Sequence, residues 1–143
     1  MAEFIMRAMA AQAGLSQQFR FASAATSSEE IRNGIGNPVY PSAREELKKR
    51  GIRCDQKRAV QLKREDYQHY DLLLGMEERN LRDMRCILGG DPAGKVKLLL
   101  DYAEAPLTGQ NIADPWYTGE FSACAAQIEA GCRGLLESLC KER

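Results

Sequence analysis

Five cysteines, at positions 54, 86, 124, 132 and 140, are the side chains of this chain best equipped for nucleophilic or metal chemistry. Their number is odd, and no two stand in the C-x-x-C spacing of a zinc or redox pair. Cys124, Cys132 and Cys140 recur every eight residues, which on a helix sets them toward one face. They read as buried, reduced thiols, since free cysteine packs as a small hydrophobe. That usage fits a reducing compartment better than a disulfide framework. Residues 44–64 gather nine basic side chains against three acidic ones. With Glu45 and Glu46 among them and no interleaved aromatics, they read as a solvated helix face rather than a nucleic-acid patch. Gly34-x-Gly36 is too short for a nucleotide-binding fingerprint, and Asp114-Pro115, taken alone, is an ordinary turn starter.

The elements that must position these groups follow from patterning. The chain has 143 residues, 44% apolar and 28% charged, the balance of one globular domain spanning 1–143. Twenty basic residues against twenty acidic ones give no global field toward nucleic acid or an anionic membrane. Apolar runs such as Leu98–Leu100 are too short to cross a bilayer, and the first residues lack the pattern of a secretory signal. The expected setting is the cytoplasm. Phe4, Ile5, Ala8 and Met9 predict an opening helix that stops near Gly14. Alternation over Phe19–Ala24 predicts a strand, and residues 26–41 a long loop. Ser42 and Glu45 predict a capping box for a helix that ends at Gly51. A short helix at Lys63–Tyr67 precedes a buried strand at Asp71–Met76. A helix over Glu77–Leu88 buries Leu81, Met84, Ile87 and Leu88, and a strand follows at Lys95–Leu100. A final amphipathic helix runs from about Glu120 to Lys141. Helices alternating with strands predict a three-layer α/β sandwich with a parallel sheet between helices.

Several stretches together resemble the low-molecular-weight protein tyrosine phosphatases. They are Met1–Arg7, Ser23-Ala24-Ala25-Thr26-Ser27, Gly36-Asn37-Pro38, the run Tyr70–Met84 with its M-x-x-x-N-L-R-D stretch, and Asp114-Pro115-Trp116-Tyr117. The similarity covers essentially the whole chain in order. It implies hydrolysis of phosphate monoesters on phosphorylated proteins or small aryl phosphates, through a phosphocysteine intermediate and with no cofactor. In that mechanism a thiolate attacks phosphorus while an arginine and backbone N–H groups hold the equatorial oxygens. By resemblance Asp114 is the general acid, and Trp116 and Tyr117 wall the cleft, although they also read as aromatics pinning a loop. Ser23 matches a serine that supports the phosphate loop, and a polar strand end is an equal reading. Arg32 stands where relatives often carry an aromatic, which leaves phosphotyrosine against phosphoarginine open. Lys57 stands near a position often held by histidine, and the sole histidine, His69, reads as a surface residue.

The family's C-x5-R-S-P loop would immediately precede Met1. Six residues after Cys54, Cys86, Cys124 and Cys132 stand Val60, Pro92, Ala130 and Ser138, so none has the required arginine. The chain is therefore expected to lack both nucleophile and phosphate clamp, together with the first central strand, and to be inactive as written. Loss of such a strand forfeits on the order of 6–15 kcal/mol of burial, comparable with a whole domain's stability of about 5–15 kcal/mol. Exposed strand edges would then favour self-association. Three readings follow: an ordinary phosphatase begun at an internal methionine, a loop-less relative acting as a non-catalytic binding or regulatory protein, or a related enzyme. That last class holds protein arginine phosphatases and arsenate reductases, and the D-P-W-Y stretch favours a phosphatase over a reductase.

Overall fold

In a computed structural model that describes residues 1–54 and 57–141, the chain opens with α1 (Ala2–Gln12). It continues through β1 (Ile31–Arg32), β2 (Ile35–Gly36), α2 (Pro41–Lys49), α3 (Asp66–His69), β3 (Leu73–Gly75) and α4 (Glu78–Leu88). There follow β4 (Val96–Leu98), a 3-10 turn (Leu99–Tyr102), α5 (Pro115–Thr118) and α6 (Phe121–Lys141). β3 and β4 pair in parallel, Leu73 opposite Val96 and Gly75 opposite Leu98. Successive strand side chains point to opposite faces. Leu73, Val96 and Leu98 pack with Leu81, Met84 and Leu88 of α4 on one side. Leu72, Leu74 and Met76 pack on the other, against a core built from α1, α2, the 3-10 turn and α6. The expected α/β sandwich, a parallel sheet flanked by helices, is what the chain forms.

Local departures from the expectations have identifiable causes. Phe19–Ala24 is not a strand: among the described residues no strand lies beside it, and alternation without a hydrogen-bonding neighbour makes no ladder. Pairing starts only at Ala25, bridged in parallel to Gln61. The predicted loop at 26–41 holds the β1–β2 hairpin, turned by Asn33 and Gly34 with φ of 52° and 76°. Positive φ at both central residues is the two-residue hairpin geometry that Asn-Gly favours. α2 has no Ser42–Glu45 capping box; it begins two residues earlier, with Tyr40 as N-cap and Pro41 opening the first turn. The predicted helix at 63–67 lies at Asp66–His69, because the Asp66 carboxylate accepts the Lys63 amide at 2.9 Å and holds 63–66 as a turn. The Lys95–Leu100 strand ends at Leu98, whose amide donates to Asp101 Oδ2 at 2.9 Å and starts the 3-10 turn. Cys124 and Cys132 are buried but Cys140 is exposed. Eight residues at about 100° each overshoot two turns by about 80°, so the third cysteine has rotated away from the core.

α1 carries a charge into the interior. Glu3 lies on the same face as Ile5, Met6 and Ala10 and is buried with them. Ser23 Oγ donates to Glu3 Oε1 at 2.7 Å, and Lys57 Nζ lies 3.1 Å from the same oxygen. Arg7 Nη2 sits 2.9 Å from Oε2. The same cations donate to the unpaired segment, Arg7 to the Phe21 carbonyl at 2.8 Å and Lys57 to that of Ser23 at 3.3 Å. Burial works to raise the Glu3 pKa, but the Ser23 and Lys57 hydrogen bonds and the Lys57 and Arg7 charges outweigh it and hold the carboxyl below its ordinary value.

Two outcomes follow. α6 approaches the 3-10 turn so closely that a Cβ on Gly134 would stand 1.8 Å from the Tyr102 carbonyl oxygen. Gly134→Ala should therefore lower the urea midpoint, the backbone clash costing about 1–3 kcal/mol or more against a helix-propensity gain of about 1 kcal/mol. A raised midpoint would show that the helices do not meet this closely. Because the Glu3 carboxyl is lowered in the folded chain, its contribution is full above the unfolded value of 4.5 and is lost as pH falls through the folded value. Glu3→Gln should destabilise the chain at pH 7, with the gap from wild type narrowing as both are taken into acid. A gap that stays constant with pH would mean that the charge of Glu3 is not what holds α1.

Candidate active site

The end of β3 is where backbone geometry meets candidate chemistry. Met76 O accepts the Ile112 amide at 2.8 Å, which brings the 111–114 segment to the β3–α4 junction. Glu77 caps α4 reciprocally with Asn80, whose Oδ1 accepts the Glu77 amide at 2.9 Å. Glu77 Oε1 also accepts the Asp114 amide at 3.1 Å, and Asn111 Oδ1 accepts that of Glu78 at 3.0 Å. Asp114 is thus fixed through its backbone to the first turn of α4.

Asp114 in turn caps α5. Its Oδ1 accepts the Trp116 amide at 2.9 Å, and its position before Pro115 keeps it extended at φ −67°, ψ 117°. α5 ends after one turn at Gly119, whose φ of 75° suits glycine. Asp114 is exposed, and Oδ2 has no hydrogen-bond partner among the described residues. Trp116 and Tyr117 beside it are 57% and 74% exposed. A carboxylate with one free oxygen, beside exposed aromatic surfaces, can pass a proton to or from a docked group while those surfaces take its apolar part.

No hydrogen bond or ion pair among the described residues joins Ser23, Lys57 or His69 to this turn. Ser23 is not an unpartnered strand end; its hydroxyl is engaged by Glu3 in the first turn of α1. Lys57 joins the same cluster, and His69 lies exposed on α3. The Arg32 side chain lies outside the described residues. The basic run is not wholly a solvated face: Arg50 pairs with Glu46 at 3.2 Å and with Glu129 of α6, and Arg58 donates to the Gly36 carbonyl at 3.0 Å. The buried thiols are poor nucleophiles. Burial pushes Cys124 up, and the Asp114 carboxylate adds to the shift; burial pushes Cys132 up to about 12. A reactive thiolate needs the opposite environment. Among the described residues no three His, Cys, Asp or Glu side chains gather as metal donors, and no helix is long and apolar enough to cross a membrane. Sequence reasoning missed Glu3 and Glu77. The spacing of Glu3 from Met6 and Ala10, on the buried face, was the signal for the first. The E-x-x-N pattern at 77–80 was the signal for the second.

The family model described as low molecular weight phosphotyrosine protein phosphatase matches residues 1–143. The low molecular weight protein-tyrosine-phosphatase YfkJ of Bacillus subtilis is 34% identical, over 100% of this chain and 88% of its own length. The human low molecular weight phosphotyrosine protein phosphatase is 32% identical, over 95% of this chain and 84% of its own. The crystal structure of YfkJ superposes with a TM-score of 0.90 at 33% identity, covering 99% of this chain and 86% of that one. A low molecular weight protein tyrosine phosphatase from Streptococcus pyogenes gives 0.80 at 26%, over 96% and 82%. With sequence and fold similar along its whole length, this chain belongs to the low molecular weight phosphotyrosine protein phosphatase family.

Proposed function

We propose that residues 1–143 form one domain, the acid-bearing scaffold of a cytoplasmic protein tyrosine phosphatase that acts on phosphorylated proteins or small aryl phosphates. Asp114 is the general acid. As a cysteine thiolate attacks phosphorus and the P–O bond breaks, it gives its proton to the leaving phenolate oxygen. Its carboxylate then takes a proton from the water that displaces the thiolate. Trp116 and Tyr117 hold the substrate's ring, and Ser23 supports the start of α1 through Glu3. The observation that carries this reading is the Asp114 turn, held by its backbone with one carboxylate oxygen free and two aromatics exposed beside it. The substrate class is supported by relatives such as YfkJ, named a protein-tyrosine-phosphatase, and the setting by five free cysteines.

The nucleophile and its arginine are not among these 143 residues, since no cysteine has an arginine six positions on. The 143-residue polypeptide should therefore release no phenol from phenyl phosphate above the buffer rate. Turnover by that polypeptide alone would mean that one of its own thiols attacks. Joined to an N-terminal strand and C-x5-R-S-P loop of the family pattern, the chain should turn over, and Asp114→Asn in that fusion should lower kcat by about 10²–10⁴ with KM little changed. An unchanged kcat would put the proton donor elsewhere.

A further inference from the structure

The turn that carries Asp114 has little to hold its far end. α5 is four residues long and buries none of its side chains. What it does have is a ring contact: Trp116 meets Tyr40 edge-on, centroids 4.5 Å apart and planes at 63°. Tyr40 also stacks on Phe121, at 6.0 Å and 25°. Gly119 lies between Trp116 and Phe121, in the left-handed region at φ 75°. One tyrosine therefore touches the chain on both sides of its most permissive joint.

Tyr40 is well placed to act as a fixed post. As the residue before Pro41 it is restricted to extended backbone, and it sits at φ −57°, ψ 138°. Its carbonyl accepts the Arg44 amide at 2.9 Å, the first bond of α2. α2 is itself anchored, by Leu47 buried in the main core and by Arg50 paired with Glu129 of α6. Yet the Tyr40 side chain is an exposed one, and its hydroxyl has no hydrogen-bond partner among the described residues. Neither core packing nor hydroxyl bonding accounts for an aromatic here; the contacts with Trp116 and Phe121 do.

We propose that Tyr40 is a positioning residue for the acid turn, bridging Trp116 and Phe121 across Gly119 so that Asp114 is held against α2 and α6. The catalytic part of this inference rests on Asp114 as proton donor, whereas the bridge is readable without catalysis. Trp116 is the single tryptophan, so its fluorescence reports the contact directly. In the 143-residue chain, Tyr40→Ala should raise acrylamide quenching of Trp116 by about twofold as the covered ring edge opens, with far-UV circular dichroism unchanged. Tyr40→Phe should restore the wild-type value, since the hydroxyl is unused. Phe121→Ala, which removes the other half of the bridge, should move quenching in the same direction as Tyr40→Ala.

In the fusion that carries the family's strand and loop, Tyr40→Ala should lower kcat on phenyl phosphate by about tenfold or more while leaving dinitrophenyl phosphate nearly unaffected, because that leaving group needs no proton. Equal losses on both substrates would mean general damage and would overturn the positioning role. Unchanged Trp116 quenching in Tyr40→Ala would overturn the bridge even with Asp114 upheld as the acid. An inert Asp114→Asn substitution would overturn the acid assignment while the fluorescence arm still judged the bridge.

Discussion

The constraint on which the rest depends is the two-sidedness of one short strand. β3 is three residues long, yet its alternation sends Leu73 into the α4 core and Leu74, with flanking Leu72 and Met76, into the core under α1 and α6. A single slip of register would exchange those faces and empty both cores. The strand therefore has one workable position, and its last residues inherit that certainty. Met76 and Glu77 emerge where the 111–114 segment passes, and they bind it through Met76 O and Glu77 Oε1. The candidate acid is thus located by apolar burial several residues away, relayed by two hydrogen bonds.

A second core-derived constraint is electrostatic. Helix α1 presents Glu3 on its buried face, near its own N-terminus, where the helix dipole favours negative charge. A buried carboxylate is tolerable only when its oxygens are satisfied, and Ser23, Lys57 and Arg7 supply that. The arrangement also serves the chain on the far side. Among the described residues no strand pairs with residues 21–23, and two of their carbonyls are taken by the donors that serve Glu3. One charge network supplies those carbonyls with donors that a strand neighbour would otherwise give.

What was legible in the sequence was whatever local pattern and burial agreed on. The amphipathic stripes of α4 and α6 and the apolar run of β3 lie where periodicity put them, because each buries the side it displays. Phe19–Ala24 failed because alternation encodes a face and not a neighbour. The Asn33–Gly34 hairpin was hidden by the density of turn residues around it, although Asn-Gly is the pair whose backbone suits a two-residue reversal. Of the candidate site, Asp114, Trp116 and Tyr117 were marked by the family resemblance, as contiguous residues of one motif. Glu3, Glu77 and Tyr40 were not, since each acts through a contact across the fold that no local window contains.

The proton donor proposed at Asp114 has to be accessible, and that requirement accounts for the oddest feature of its turn. α5 cannot bury its own side chains without hiding Asp114, Trp116 and Tyr117, so its stability has to come from outside the segment. Glu77 secures the N-terminal end by taking the Asp114 amide, and Tyr40 secures the C-terminal end across Gly119. Neither anchor touches the carboxylate. A group held at both ends by contacts that avoid its reactive oxygen keeps that oxygen free for a leaving group while losing little of its orientation, the condition under which a positioned acid is effective. Had the same rigidity come from bonding Oδ2, the turn would be as well placed and chemically spent.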